Sequence, residues 1–390
     1  MSKVFITDGY WHKTLAVVRS LGEKGIDVTV GESTRLATAL FSRYARRRVI
    51  YPSPKTRPEE FLNFLEDELK KERYDVLIIP EESTLHLIAK NIQRFDKLTR
   101  LPFPDYNTIL KASDKKEVLK TAMAIGIFVP KTIFIDDFSE LEGKAAKVSL
   151  PAVIKPRMSS GSYGIRYVNN MKELITAYKE VHEKYPLPLI QEYIPQGGDA
   201  FGLSALFDKN AEPKAVFVHK RLREYPITGG PSTLRESVVN DEVQELGIKL
   251  LKALKWYGVA MVEFKMDPRD NRPKLMEINP RFWGSLSLSV YAGVDFPYLL
   301  YKMAMGEAFK PVTTYKTGLR SRYLLPGDIM HFFSNPERFK MRPGFFNFFD
   351  KKTRDDIISI KDPLPTIGRI LSLFTLLYHK DMRRYLKERN

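Results

Sequence analysis

The stretch VAMVEFKM at 259–266, followed by PKLMEINPR at 273–281, decides the fold and the chemistry expected of this chain. Glu263 lies in the first apolar run, and Glu277 and Asn279 lie two residues apart in the second. Side chains at i and i+2 of a strand point to the same face, so two adjacent strands would bring three oxygen ligands together. Mg²⁺ prefers such hard donors. The alternative is a pair of carboxylates in solvated strand ends.

Two upstream segments predict groups that bind phosphate. Lys155 ends the apolar run PAVIK at 151–155, and an ammonium buried there needs an anion to offset its desolvation. The loop SSGSYG at 159–164 has glycines that let backbone N–H groups approach a phosphate closely. It is not a Walker motif, because no Gly-Lys-Ser/Thr ending opens a helix. The alternatives are an edge-strand lysine with its head in solvent and a plain hairpin turn.

The segment QEYI at 191–194 ends another apolar strand. Glu192 could accept hydrogen bonds from ribose hydroxyls, and the backbone at Tyr193 and Ile194 could read adenine. The alternative is an ordinary strand end with one exposed acid.

Taken together, the order and spacing of these elements resemble the ATP-grasp superfamily. The resemblance is to the branch of carbamoyl-phosphate synthase large subunits, biotin carboxylase and carboxylate–amine ligases, and it covers roughly residues 104–310. The matching elements are SDK at 113–115, VIKP at 153–156, SSGSYG at 159–164, QEYI at 191–194, EF at 263–264 and EINPR at 277–281. The last element with its upstream glutamate is the specific part.

The resemblance implies a role for each of these elements. The residues that it assigns to ATP are Lys115 and Lys155 for the phosphates, Ser160, Gly161, Ser162 and Gly164 in the covering loop, Glu192, Tyr193 and Ile194 for the nucleoside, and Asp199 as a weaker candidate nearby. Glu263, Glu277 and Asn279 would hold Mg²⁺ or Mn²⁺, and Arg281 would steady the transferring phosphoryl group. Phosphoryl transfer relies mainly on positioning and positive charge, which these residue types supply.

The reaction that the resemblance implies is activation of a small-molecule carboxylate by ATP to an acyl phosphate, which an amine then attacks. The enzyme would be an ADP-forming ligase. Acceptor carboxylates need cationic clamps, and the segment 219–238 offers Lys220, Arg221, Arg223 and Arg235 around a Gly-Gly-Pro turn. Arg223 and Arg235 are the preferred substrate contacts, and a solvated cationic face is the alternative.

The predicted fold is mixed α/β in three parts. Residues 1–103 alternate strands and helices, which predicts a Rossmann-like domain with a mainly parallel sheet. It lacks a dinucleotide fingerprint, since only Gly9 stands where G-x-G-x-x-G would be. Residues 104–310 would form an ATP-grasp domain of two α+β lobes, the mobile lobe at about 120–195. Residues 311–390 would be a basic, aromatic C-terminal extension.

This extension contains 16 Lys or Arg against 8 Asp or Glu, a net charge of +8, together with 12 Phe or Tyr. A helix is expected near 366–388, with an apolar start and a basic end. The extension has three interpretations: it completes the core and surface, it forms a lid or dimer element at the acceptor pocket, or it makes weak peripheral contact with an anionic membrane.

Composition narrows the remaining classes. The chain has 390 residues, a formal net charge of +16 and no cysteine, which excludes disulfides, thiolate metal sites and a cysteine nucleophile. We expect a cytoplasmic protein, since no segment reads as a signal peptide or a spanning helix, and a homodimer. The alternative function is a non-catalytic ATP-binding scaffold or sensor. A nucleic-acid binder is not expected, because no recognition motif accompanies the charge.

Overall fold

The computed structural model describes residues 2–159 and 163–378. The N-terminal part is a four-stranded sheet with the order β3-β2-β1-β4 and every pair parallel. Its elements, in chain order, are β1 (Lys3–Ile6), α1 (His12–Glu23), β2 (Asp27–Glu32), β3 (Ala45–Ile50), α2 (Pro58–Glu72), β4 (Val76–Ile78) and α3 (Glu82–Lys90). Strand β1 is central, and Val4, Phe5 and Ile6 are fully buried, as expected when both faces are covered. The predicted parallel sheet is confirmed.

Two short helices connect this sheet to the rest of the chain. Helix α4 (Tyr106–Ser113) begins where the Asp105 carboxylate accepts the backbone N–H of Thr108. Helix α5 (Lys115–Ala124) begins where Asp114 accepts the backbone N–H of Lys116. These N-caps satisfy helix donors that have no intrahelical partner. The second cap fixes Lys115 at the first position of α5.

A small lobe follows, with its own four-stranded antiparallel sheet of order β5-β8-β6-β7. Its elements are β5 (Thr132–Ile133), α6 (Leu141–Ala145), β6 (Ala152–Lys155), β7 (Arg166–Val168), α7 (Met171–Lys184) and β8 (Leu189–Glu192). Ile154, Leu174, Tyr178 and Ile190 form a hydrophobic cluster separate from the two larger ones. This lobe lies within the range predicted for the mobile lobe, and its mobility stays a prediction.

The large sheet has seven strands in the order β13-β12-β9-β10-β11-β14-β15. Its first part contains β9 (Ala200–Phe207), β10 (Pro213–Glu224), β11 (Ser232–Ser237), α8 (Asp241–Ala253), β12 (Gly258–Asp267) and β13 (Arg272–Asn279), and helices α9 (Leu286–Ala292) and α10 (Phe296–Met305) follow. Strands β12 and β13 are antiparallel neighbours, as the opening motif requires. One hydrophobic cluster includes Phe5 of the first sheet and Phe264 of this one, so the two sheets share a core.

The C-terminal part continues the same sheet. It contains β14 (Arg320–Arg322), α11 (Ile329–Ser334), β15 (Thr353–Asp355) and α12 (Leu364–Tyr378). Strand β14 pairs with β11, and β15 pairs with β14. Helix α12 packs on residues 38–41, so closely that a Cβ on Gly368 would lie 2.4 Å from Cδ2 of Phe41.

The predicted C-terminal helix therefore begins at Leu364, and its predicted part beyond residue 378, with the basic end, lies outside the described residues. No helix within the described ranges is long and apolar enough to cross a bilayer.

Candidate active site

The two glutamates of the opening motif face each other across the β12–β13 pair. Glu263 is the register partner of Glu277, and Met261 is the partner of Asn279. Oε1 of Glu263 accepts a hydrogen bond from Nδ2 of Asn279 at 3.0 Å. The sheet thus brings together the three residues predicted to hold a metal ion. We call this group, with the cations described next, the carboxylate site.

Each glutamate of the carboxylate site has a cationic partner from another element. Arg221 of β10 donates to Glu263, and Nζ of Lys115 lies 3.0 Å from Oε2 of Glu277. Burial raises the pKa of Glu263, and Arg221 only partly opposes that shift. Burial also acts on Glu277, but Lys115 and Arg221 outweigh it and lower its pKa. Glu277 therefore loses its proton more readily than Glu263 does.

Lys155 lies beside the same carboxylates at the end of β6. Its Nζ donates to Oε1 of Gln191 at 2.7 Å. Burial, together with Lys115 and Lys265, lowers the pKa of Lys155 to about 8, although Glu277 opposes the shift. Lys115 also donates to the backbone carbonyl of Ser159 at 2.5 Å, which ties the start of the predicted covering loop to the carboxylate site.

Of that loop, Ser160, Gly161 and Ser162 lie outside the described residues. Gly164 has φ +69°, and a Cβ there would lie 2.7 Å from the Tyr185 ring and 2.8 Å from Cγ of Pro156. Both the positive φ and the close approach require glycine at this position.

The segment predicted to bind the nucleoside runs along the edge of the small lobe. Glu192 accepts from the backbone N–H of Lys131 at 2.8 Å and from Arg269 at 3.0 Å. The backbone carbonyl of Ile194 accepts from Nζ of Lys265 at 3.1 Å, and the same ammonium lies over the Tyr193 ring. Both lobes therefore contribute to this edge.

Asp199, the weaker candidate for the nucleoside, forms an ion pair with Lys220 at 2.9 Å. Both side chains are partly exposed. The pair lies at the start of β9, opposite the β10 strand that carries Arg221.

Arg281 points toward the N-terminal sheet. Its Nε lies 3.3 Å from Oε2 of Glu82, and its Nη1 donates to the carbonyl of Phe282 at 2.9 Å. Its charge also opposes the rise in the pKa of Glu263 that burial causes, so the guanidinium lies within electrostatic reach of the carboxylate site. Lys13 and Glu81, a buried pair at 2.7 Å, lie next to it.

Arg223 and Arg235, the preferred substrate contacts, are already paired with buried carboxylates. Arg223 donates to Asp328 at 2.7 Å, and Arg235 donates to Asp356 at 2.5 Å and to the carbonyl of Gly284 at 2.6 Å. We call these two pairs the arginine wall. A substrate carboxylate would have to displace a buried aspartate to bind either guanidinium, so the geometry gives no support to a direct clamp.

Three cationic side chains contact the predicted site residues, although the sequence did not predict these contacts. Arg221 was grouped with Arg223, yet it alone reaches Glu263. Lys265 stands two residues after Glu263 on the same strand, a period-two signal that could have revealed it. Arg269 lies in a turn, and no local pattern points it at Glu192.

The metal ligands predicted here are two carboxylates and an amide. Within residues 2–159 and 163–378, no group of three or more His, Cys, Asp or Glu is placed to hold a metal ion.

Part of the chain is similar to a known protein family and to several known proteins. Residues 212–325 match the family model described as "ATP-grasp in the biosynthetic pathway with Ter operon". The chain is 23% identical over 326 residues to the carbamoyl phosphate synthase large chain of Thermotoga neapolitana, covering 78% of this chain and 28% of that protein. It is also 23% identical over 282 residues to the formate-dependent phosphoribosylglycinamide formyltransferase of Ignicoccus hospitalis, covering 68% and 69%.

Among solved structures, biotin carboxylase from Campylobacter jejuni in complex with a βγ-ATP ligand matches with a TM-score of 0.68 at 16% identity, over 82% of this chain and 74% of that one. These matches bear out the resemblance: residues 212–325 match an ATP-grasp family model, and the chain has the mixed α/β fold of the biotin carboxylase structure. ATP binding and dependence on Mg²⁺ are typical of the family, and the family is consistent with ATP-dependent carboxylate–amine ligation. The chain spans little more than a quarter of the carbamoyl phosphate synthase that it matches.

Proposed function

We propose that this protein is an ADP-forming ligase that activates a small-molecule carboxylate with ATP and joins it to an amine. The observation that carries the proposal is the carboxylate site, in which Glu263 and Glu277 face each other with Asn279 beside them and two lysines nearby. The two facing, partly buried carboxylates repel each other and are balanced here by Arg221 and Lys115. A divalent ion would replace those partners at the carboxylates, and the lysines would then bind the nucleotide phosphates.

The carboxylate site fits a divalent ion in its donor chemistry. Nδ2 of Asn279 donates to Glu263, which leaves the amide oxygen of Asn279 available as a third ligand beside the two carboxylates. Glu263, Glu277 and Asn279 would hold Mg²⁺, and Mn²⁺ is the expected substitute. A bound divalent ion would neutralise charge on the phosphates and on the transferring group.

The nucleotide would lie between the lobes. Lys115 and Lys155 would contact the phosphates, with the loop that contains Ser160, Gly161, Ser162 and Gly164 above them. Nζ of Lys115 contacts both the Ser159 carbonyl and the Glu277 carboxylate, so this ammonium is already held in place before a phosphate binds to it. Glu192, Tyr193, Ile194 and Asp199 would bind the nucleoside.

In the reaction, a carboxylate oxygen of the acid attacks the γ-phosphorus of ATP, the bond to the β-phosphate oxygen breaks, and an acyl phosphate and ADP form. The amine then attacks the acyl carbon, phosphate leaves with the bonding electrons, the nitrogen loses a proton, and an amide results. Arg281 would steady charge on the phosphoryl group in flight. Because the arginine wall is internally paired, we assign Arg223 and Arg235 to shaping the acceptor side rather than to holding the substrate directly.

The experiment is a screen of pooled acids and amines for ATP-dependent release of ADP, with mass detection of the new amide. Glu277→Gln should lower turnover at least a thousandfold, because it removes one of the proposed metal ligands from the site. The matched control is Glu236→Gln, which removes a carboxylate of similar exposure that is paired with Arg320 on the same sheet. The control should retain wild-type turnover.

Full activity in Glu277→Gln, or equal loss in both variants, would refute the assignment. Tight ATP binding by the wild-type chain without release of ADP across the panel would instead favour the non-catalytic sensor or scaffold. A carboxylate site with all of its ligands and cations present argues for the enzyme over that alternative. The expected homodimer and cytoplasmic location stay predictions.

A further inference from the structure

A cluster of phenylalanines in the C-terminal part is exposed to solvent. Its members are Phe333, Phe339, Phe346, Phe348 and Phe349, whose exposed fractions are 70%, 76%, 63%, 52% and 96%. The ring centroid of the buried Phe332 lies 5.6 Å from those of Phe333, Phe339 and Phe346. The Phe348 ring lies 6.3 Å from that of Phe346, and Phe349 follows Phe348 in the chain. We call these five side chains the aromatic patch.

The exposed apolar area of the aromatic patch is larger than that of singly scattered apolar residues on a protein surface. A phenylalanine presents on the order of 150–250 Å² when fully exposed, so five at these fractions leave roughly 500–900 Å² of apolar surface open. Contiguous apolar patches on monomeric proteins rarely exceed a few hundred Å² unless they bind something.

The exposed charged residues of the segment that carries the aromatic patch are almost all cationic. Within 330–374 the exposed cationic residues are Lys340, Arg342, Lys351, Lys352, Arg354 and Lys361. The single exposed carboxylate in that range, Glu337, already pairs with Lys340 at 2.8 Å. The remaining aspartates of this range accept hydrogen bonds within the fold, as Asp350 does from Thr353 and Asp362 from Arg19. The segment that carries the aromatic patch thus has six exposed cations and no exposed carboxylate without a partner.

Helix α12 adds a second uncovered apolar face. Leu364, Ile367, Ile370 and Phe374 are exposed, and their spacing places them within one third of the helix circumference. The opposite side, with Gly368 and Arg369, is buried against the N-terminal part and the segment before α11. The side of the helix that carries Gly368 and Arg369 therefore packs against the protein, and the side that carries large apolar residues faces solvent.

We propose that the aromatic patch, supported by the open face of α12, docks the protein onto the surface of an anionic lipid bilayer. Exposed phenyl and aliphatic side chains partition into the headgroup–acyl boundary, and surrounding Lys and Arg are attracted by anionic lipids. A second copy of this chain fits less well, because it would place one cationic rim against another. Single-stranded nucleic acid would stack on the rings but would leave the aliphatic face of α12 unused.

The test is flotation of the full chain with vesicles of phosphatidylcholine containing 30% phosphatidylserine (roughly the charge of a PS-rich surface) and with pure phosphatidylcholine vesicles, at low and moderate salt. We expect binding to the anionic vesicles that weakens as salt rises. Phe349→Ser should weaken partitioning about tenfold, because it removes apolar area that the phenylalanine would bury in the bilayer. Val239→Ser is the matched control, because Val239 is 65% exposed and lies outside the patch; it should bind as the wild type.

Charge is tested separately. Lys351→Glu with Lys352→Glu should weaken binding well over tenfold, whereas Lys71→Glu with Lys97→Glu, the same change in net charge on exposed residues of the N-terminal part, should have a small effect. No flotation of the wild type at low salt, or equal loss in both charge pairs, would overturn the proposal. So would a wild-type dimer in sedimentation velocity that Phe349→Ser dissociates, or competition by single-stranded RNA without lipid binding. Because ADP release is measured without lipid, failure here leaves the proposed ligase untouched.

Discussion

The carboxylate site and the arginine wall both involve strands of the same seven-stranded sheet, and both pair charges that come from distant parts of the chain. They differ in how completely they are closed. At the carboxylate site the side chains of Glu263 and Arg221 keep 14% and 17% of their exposure. In the arginine wall, Arg235 and Asp356 keep none.

This difference separates a site that can exchange partners from one that cannot. A guanidinium or ammonium with residual access to water can release its carboxylate when a phosphate or a metal ion arrives. A fully desolvated pair has no such route, because separating it leaves two uncompensated charges in a medium of low dielectric constant. Ion pairs on neighbouring strands of one sheet can therefore serve ligand exchange in one place and architecture in another.

The largest effect on stability is expected in the arginine wall. Asp356→Ala should lower the free energy of unfolding by about 3–5 kcal/mol, because it leaves the Arg235 guanidinium buried without its partner. Glu263→Ala, at the open site, should cost about 1–2 kcal/mol or less, because Arg221 can turn to Glu224 or to solvent. Urea unfolding followed by circular dichroism measures both. Equal costs would show that the two clusters do not differ as described.

The second effect concerns pH and the carboxylate site. The pKa of Lys155 is lowered to about 8, chiefly by burial, so in the free protein the ammonium loses its proton as the pH rises through 8. If Lys155 contacts phosphate, ATP affinity should be flat below about pH 7.5 and should fall above pH 8 by up to about tenfold per pH unit. Calorimetric titration with ATP at fixed free Mg²⁺ measures this. Lys155→Arg keeps the charge and should flatten the profile; an unchanged profile would dissociate Lys155 from the phosphates.

The smallest effect is expected where the lobes touch. Oη of Tyr167, in the small lobe, donates to the carbonyl of Thr228 in the β10–β11 turn at 3.0 Å, and its ring packs edge-on against Tyr193. Tyr167→Phe removes only the hydrogen bond, worth about 0.5–1.5 kcal/mol, and should speed ATP dissociation about two- to tenfold. Stopped-flow measurement with a fluorescent ATP analogue tests this, and Tyr257→Phe, on the large lobe, is the control. Identical rates in both variants would mean that this contact does not hold the lobes closed.

Much of the fold was predictable because its decisive strands are apolar and long. Strands β12 and β13 follow the predicted strand pattern, and the structure places each within two residues of the predicted limits. Strand β3 was missed because its residues ARRRVI carry three arginines at a sheet edge. Strands β14 and β15, of three residues each, are too short to produce a periodic signal.

The sequence by itself determined which residue types could form the site and the spacing that brings Glu277 and Asn279 to one face. Only the tertiary structure decided which arginine pairs with Glu263 in that site. Arg221 and Arg223 stand two apart and should share a face, but the β10–β11 register shifts between them, and such a bulge redirects side chains. Arg221 therefore meets Glu263, whereas Arg223 meets Asp328, 105 residues later in the chain. Local periodicity cannot anticipate such a partner, because long-range pairing is set by how sheets pack rather than by neighbouring residues.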